Sequence, residues 1–132
     1  MLPKESRMSG KEKSYLTRKL DVITSLIVRS IGYCEKCGKK ENLQCCHIYS
    51  RTYKSVRWDF LNLVCLCASC HHWAHKNPIL FTEWVKKYRG KELYTELKKR
   101  ACPTSNWKVY QLSEMYEKYQ GIYQEQQQAG VG

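Results

Sequence analysis

The chain has 132 residues, with 23 Lys and Arg against 12 Asp and Glu, a net charge of +11 and 42% hydrophobic residues. That length allows one modest core with peripheral helices and reads as a single domain over 1–132, while so large a basic excess points to a polyanionic partner. No apolar run approaches the roughly 18 residues of a membrane span, and the polar, charged stretch 1–13 does not read as a signal peptide; the expectation is a cytoplasmic protein with no membrane partner.

The charge is not spread evenly. Residues 1–32, 33–76 and 77–103 each carry 7 Lys and Arg against 3 Asp and Glu, whereas 104–132 carry 2 against 3. The tail is therefore not the part expected to meet phosphate.

In chain order, residues 1–10 mix Pro, Ser, Gly and alternating charge and read as a flexible arm, with Lys4, Arg7 and Lys11 free to graze a phosphate backbone. Over 11–32, Leu16, Leu20, Ile23, Ile27 and Ile31 recur at helical intervals and Gly32 supplies a stop, which predicts a core-facing helix. Cys34-x-x-Cys37, followed by Gly38 at the turn, opens a compact core over 33–76. Residues 43–48 and 61–66 each read as a short strand, joined by a polar, basic loop over 49–57. Ala68–Lys76 has no Gly or Pro and reads as a short helix.

Beyond it, Asn77 and Pro78 read as N-cap and first residue of a helix over Pro78–Arg89, ended by Gly90. A further helix follows over 91–101, with Lys98, Lys99 and Arg100 where cations suit a helix C-terminus. A last helix over 106–124 carries the stripe Val109, Leu112, Tyr116, Tyr119 and Tyr123. Residues from 124 on are low-complexity and read as frayed, and the helical extension as a whole is taken as 77–128. The fold class expected is α+β, mostly helical.

The 8 cysteines would suggest disulfides in a secreted chain, but without a signal peptide a metal site is the better reading. Cys34, Cys37, Cys67 and Cys70 form two C-x-x-C knuckles, the pattern of a structural zinc ion. Cys45, Cys46, Cys65 and Cys102 each read as small buried or half-buried thiols. All four histidines fall between residues 46 and 75. His71 and His75 stand four apart on the short helix and so share one face, an arrangement able to grip one ion; His72 lies off that face. Asp59 reads as a loop cap. In the basic loop, Arg51, Lys54 and Arg57 are interleaved with Tyr49, Tyr53 and Trp58, a pattern suited to phosphate contact.

His47, Asn62 and the pair His71 and His75, in this order and at these intervals, resemble the three marks of the HNH (ββα-metal) nucleases, with spacings close to those of the bacterial colicin DNases. The flanking cysteine pairs, with Arg57-Trp58-Asp59 ahead of Asn62, are more like small HNH proteins of phage genomes and somewhat like the phage NinG/Rap endonucleases. The resemblance covers about residues 34 to 76. It implies a treble-clef-like ββα-metal core with a structural zinc, flanked by N-terminal and C-terminal helices. It also implies a metal-dependent DNA endonuclease in a bacterial or phage-infected cell, nicking DNA to leave 5′-phosphate and 3′-hydroxyl ends. His47 would then be the general base, His71 and His75 the ligands of a catalytic divalent ion, and Asn62 the residue that holds the backbone beside the base. A neutral imidazole can take a proton from water near neutral pH, which is why a histidine suits the first role.

One position departs from the family. Cys46 stands where an Asp or His usually serves as a further ligand. A soft thiolate suits zinc rather than magnesium, so either Cys46 is not a ligand or the ion is a transition metal; Mn²⁺, Ni²⁺, Co²⁺ or Zn²⁺ is favoured over Mg²⁺. Two other classes compete: a non-catalytic zinc-stabilised module that binds nucleic acid, which has no need of His47, Asn62 and His75, and an assembly factor using the tyrosine stripe. Whether the chain works as a monomer or a homodimer stays open, as does its sequence or structure preference.

Overall fold

A computed structural model describes the backbone of residues 2–131 and the side chains of residues 10–130. Five α-helices and one two-stranded antiparallel sheet follow in the order α1 (Leu2–Arg29), β1 (Leu43–His47), β2 (Leu63–Cys67), α2 (Ala68–Lys76), α3 (Pro78–Arg89), α4 (Lys91–Arg100) and α5 (Val109–Val131). The contacts gather into two compact units, Met1–Ser30 with Asn106–Gly132, and Ile31–Ser105. No helix among the described residues is long and apolar enough to cross a membrane.

The first unit pairs α1 with α5. On α1, Leu20, Ile23 and Ile27 are buried, as the helical spacing requires, while Ile31 lies beyond the helix end and is exposed. On α5, Leu112 and Tyr119 are buried and Val109, Tyr116 and Tyr123 half-buried, so the tyrosine stripe is an inward face. Both helices are longer than their sequence patterns suggested. The backbone of the expected arm is helical from Leu2, with Pro3 in the first turn, where no intrahelical N–H is required. The side chains of Lys4 and Arg7 lie outside the described residues. At the other end, the stretch expected to fray stays helical to Val131, and Gln126 Nε2 donates to the Ile27 carbonyl at 3.5 Å.

The second unit holds the ββα arrangement. β1 and β2 pair with Leu43 opposite Cys67 and His47 opposite Leu63. One face of the sheet presents Cys46, Val64 and Leu66 to Ala74, Phe81 and Val85, and these residues form the core. Side chains alternate across a strand, so this assignment sends Cys45 and His47 to the other face. The helix boundaries within 68–100 follow the sequence signals, with one exception. Asn77 does not cap α3 with its side chain; its Nδ2 donates backwards to the Trp73 carbonyl at 3.1 Å and so closes α2. Gly90, at φ +97°, ends α3 in a conformation costly for other residues.

A pair of five-residue strands is too small to be stable alone. What fastens it is the convergence of Cys34, Cys37, Cys67 and Cys70, whose Sγ atoms all lie within 4.8 Å of one another. Cys37 Sγ and Cys67 Sγ are 3.7 Å apart, close to the roughly 3.8 Å edge of a tetrahedron with zinc–sulfur bonds of about 2.3 Å. Gly38, at φ +82°, turns the knuckle so that its N–H reaches the Cys34 carbonyl at 2.8 Å. Burial works to raise the Cys34 thiol, but N–H groups of Cys67, Cys37 and Lys36 and the Cys37 thiol hydrogen-bond to the sulfur and bring it down to about 6. Burial, followed by the neighbouring thiols, pushes Cys70 up. An ion bound by the four sulfurs would draw the cluster into its thiolate form. The donor set and its spacing fit a structural zinc.

Removing that metal is expected to unfold Ile31–Ser105. Binding contributes about 10 kcal/mol or more for sites of this kind, comparable to the whole stability of a small domain. A chelator titration followed by circular dichroism should erase the unit's thermal transition, and Cys37→Ser should do the same without chelator. An unchanged melting temperature after the metal is shown to have left would refute the role given to the four thiols.

Candidate functional site

β1 ends on His47, β2 begins after Asn62, and α2 carries His71 and His75. His47, His71 and His75 all line one cavity of about 570 Å³, together with Cys45, Cys46 and Arg51. Residues of the hairpin and of the helical pair thus border a common space.

The tautomer of His47 follows from its partner. Nε2 lies 3.0 Å from the Arg57 carbonyl, and a carbonyl can only accept, so Nε2 carries the hydrogen and Nδ1 the lone pair. The same logic orients His71, whose Nδ1 meets the amide oxygen of Gln44. That leaves the lone pair on Nε2, which stands 3.1 Å from Nε2 of His75. Two nitrogens bound at about 2.0–2.1 Å to one ion sit about 3 Å apart, so the pair is spaced as two ligands would be. Burial, then the nearby His75 and Arg51, lowers the pKa of His71 and favours the neutral imidazole that a metal needs.

Cys46 does not join the pair. Among the described residues, the four structural cysteines are the group of three or more His, Cys, Asp and Glu donors that come close enough to share an ion. Cys46 is instead packed against the core that includes Val64, Leu66 and Phe81, and burial, followed by the charge of Cys45, pushes its thiol up to about 12. A sulfur that holds its proton so firmly is a core thiol. His47 likewise lines the cavity without being a third donor to the pair.

Asn62 is fully buried and its amide is completely employed. Oδ1 accepts from the Tyr49 N–H at 2.6 Å, and Nδ2 donates to the Tyr49 carbonyl at 2.9 Å and the Val56 carbonyl at 3.1 Å. Its backbone carbonyl also accepts from Ile48. One side chain thus closes the loop that follows His47. Asp59 caps the turn Phe60–Asn62 by accepting from the Leu61 N–H, and it pairs with Arg100 at 3.0 Å. Of the three basic loop residues, Arg51 lines the cavity; Lys54 lies on the short 3-10 turn Lys54–Val56 and Arg57 packs its guanidinium over Trp58, so neither lines it.

Three residues shape the site without having stood out in the sequence. Gln44 fixes His71, and the period of two along β1 places it on the face of Cys46, toward α2. Arg89 donates to the carbonyls of Phe60, Leu61 and Leu63, bracketing Asn62. Glu35 stands 3.7 Å from Arg89, accepts from the Cys65 N–H at 2.6 Å and from the Tyr88 hydroxyl at 3.0 Å. No sequence pattern announces the last two.

Asn62→Ala would remove three hydrogen bonds, two to Tyr49 and one to the Val56 carbonyl, which keeps its bond from the Asp59 N–H, at about 1 kcal/mol or more each. The expected loss is about 3 kcal/mol, read as a lower urea midpoint with an unchanged slope; Asn62→Asp should cost at least as much, because a carboxylate would face two carbonyls. A change within about 0.5 kcal/mol would mean that the loop is held by something else. Compared with family models, curated proteins and solved structures, the chain finds no match in any of the three.

Proposed function

We propose that this chain is a metal-dependent DNA endonuclease of the HNH type, hydrolysing phosphodiester bonds at the cavity of His47, His71 and His75. The observation that carries the reading is the shared cavity: His47, whose Nε2 hydrogen is held by the Arg57 carbonyl, and a pair of imidazoles spaced for one ion border the same space. A pure binding module requires the basic surface and the zinc but gains nothing from this arrangement.

A phosphodiester resists hydrolysis because water is a poor nucleophile and an alkoxide a poor leaving group. His47 answers the first difficulty by taking a proton from water at Nδ1, while the Arg57 carbonyl holds its Nε2 hydrogen and stabilises the imidazolium that results. Asn62 keeps the following loop, and hence the Arg57 carbonyl, in place. Arg51 holds a non-bridging phosphate oxygen at the mouth of the cavity. His71 and His75 hold the divalent ion, which when bound supplies charge to offset that building on the departing oxygen. The two imidazoles favour a transition metal over magnesium.

Supercoiled plasmid incubated with the zinc-loaded protein and added Mn²⁺, Ni²⁺ or Mg²⁺ tests this directly. Nicking is expected, fastest with a transition metal, and His47→Ala should slow it about 10²- to 10⁴-fold, the range of a lost general base, with DNA binding retained. His71→Ala should raise the metal concentration required. DNA retention by wild type with no nicking under any of the three ions would leave a non-catalytic nucleic-acid-binding module as the function.

A further inference from the structure

The two strands place two cysteines face to face. In the register of β1 and β2, Cys45 stands opposite Cys65 and Cys46 opposite Val64. Bonds from the Ile48 N–H to the Asn62 carbonyl and from the Ala68 N–H to the Asn42 carbonyl mark 48/62 and 42/68 as hydrogen-bonded positions. By alternation 44/66 and 46/64 belong with them, and 45/65 falls in the narrow class where partners exchange no backbone bonds. Glu35 supplies an independent check: the Cys65 N–H donates to its carboxylate at 2.6 Å and the Cys65 carbonyl accepts from its N–H at 2.8 Å, so both backbone groups turn away from β1.

Pairs of this class hold their Cα atoms about 4.5 Å apart with side chains in closest approach, and a disulfide accepts Cα separations of about 4.4–6.8 Å. The other cysteines are excluded by direction. Cys46 faces the opposite side of the sheet, Cys67 belongs to the four-thiol cluster, and Cys102 lies exposed outside the strands. Both Cys45 and Cys65 are thiols in this structure. Cys65 is fully buried and Cys45 half-buried, so Cys45 is the sulfur a small oxidant meets first.

We propose that Cys45 and Cys65 form a reversible cross-strand dithiol–disulfide couple, closed by a hydroperoxide that reaches the half-buried Cys45. With hydrogen peroxide, the Cys45 sulfur attacks one oxygen, the O–O bond breaks, and water leaves with the thiol proton, giving a sulfenic acid. The Cys65 sulfur then displaces that hydroxyl: the S–S bond forms, the S–O bond breaks, and a second water carries off the Cys65 proton. The two sulfurs together lose the two electrons that the peroxide gains, and a thiol reductant reverses the change. The bridge would pin the strand that ends on His47 to the strand that begins after Asn62. It rests on strand register alone and stands whether or not the chain cuts DNA.

The test uses the full-length, zinc-loaded protein treated with equimolar hydrogen peroxide, then alkylated and digested without reduction for mass spectrometry, with zinc release followed in parallel. A peptide linking Cys45 to Cys65 is expected, with zinc retained, reversed by dithiothreitol, lost in Cys45→Ser and preserved in Cys46→Ser. If Cys45→Ser does not fold, fragmentation of the wild-type linked peptide between residues 45 and 46 assigns the sulfur. A link through Cys46, oxidation of the zinc cysteines with metal loss before any link forms, or no link at all would overturn the proposal.

Discussion

Four sulfur atoms that converge on one point govern the geometry of Ile31–Ser105. Cys67 is the last residue of β2 and the residue before α2, and Cys70 lies in the first turn of that helix. Holding both to the knuckle of Cys34 and Cys37 fixes where the helix begins and how it is rotated. His71 and His75 then have their direction set by sulfur on the preceding residue. Hydrophobic burial contributes the core beneath, but a sheet of two short strands offers too little area to determine the orientation of a nine-residue helix on its own.

The second constraint is polar and interior. Between His47 and β2 the chain makes an irregular excursion, and irregular backbone has donors and acceptors that must find partners. Asn62 satisfies three of them with one amide, and Arg89 satisfies three carbonyls on the other side of it. Ser55 extends the arrangement, donating to the carbonyl of Arg100 at 2.7 Å and accepting from the Cys102 N–H at 2.7 Å. The loop is thus positioned by side chains rather than by a ladder of backbone bonds.

Much of this second unit was legible from the residues. Its two strands, the helix of the histidine pair and the boundaries at Pro78, Gly90 and Arg100 all follow from local punctuation, which acts within a few residues and needs no knowledge of the rest of the chain. The four cysteines were legible because tetrahedral thiolate sites require paired knuckles. What could not be read depends on partners distant in sequence. Asn77 has the composition of an N-cap, but its amide finds a carbonyl one turn behind it. Cys46 reads as a small buried thiol and is one, packed with Phe81 and Val64; the ligand role came only from the resemblance. The C-terminal end of α5 stays helical beside α1, where Gln126 reaches the Ile27 carbonyl, a tertiary effect that composition does not carry.

Arg89 also redraws the outline of the smallest piece of this chain that would be self-sufficient. It sits in the last turn of α3, thirteen residues beyond the end of the ββα segment, and yet it props the stretch from which Asn62 points inward. A fragment trimmed to residues 33–76 would keep every cysteine and histidine of the two candidate metal centres while losing the guanidinium that braces the bend between them. The two helices after the histidine pair are therefore struts of the site rather than an appendage to it, and the border of the working unit lies past Arg100, where the last of those braces is anchored.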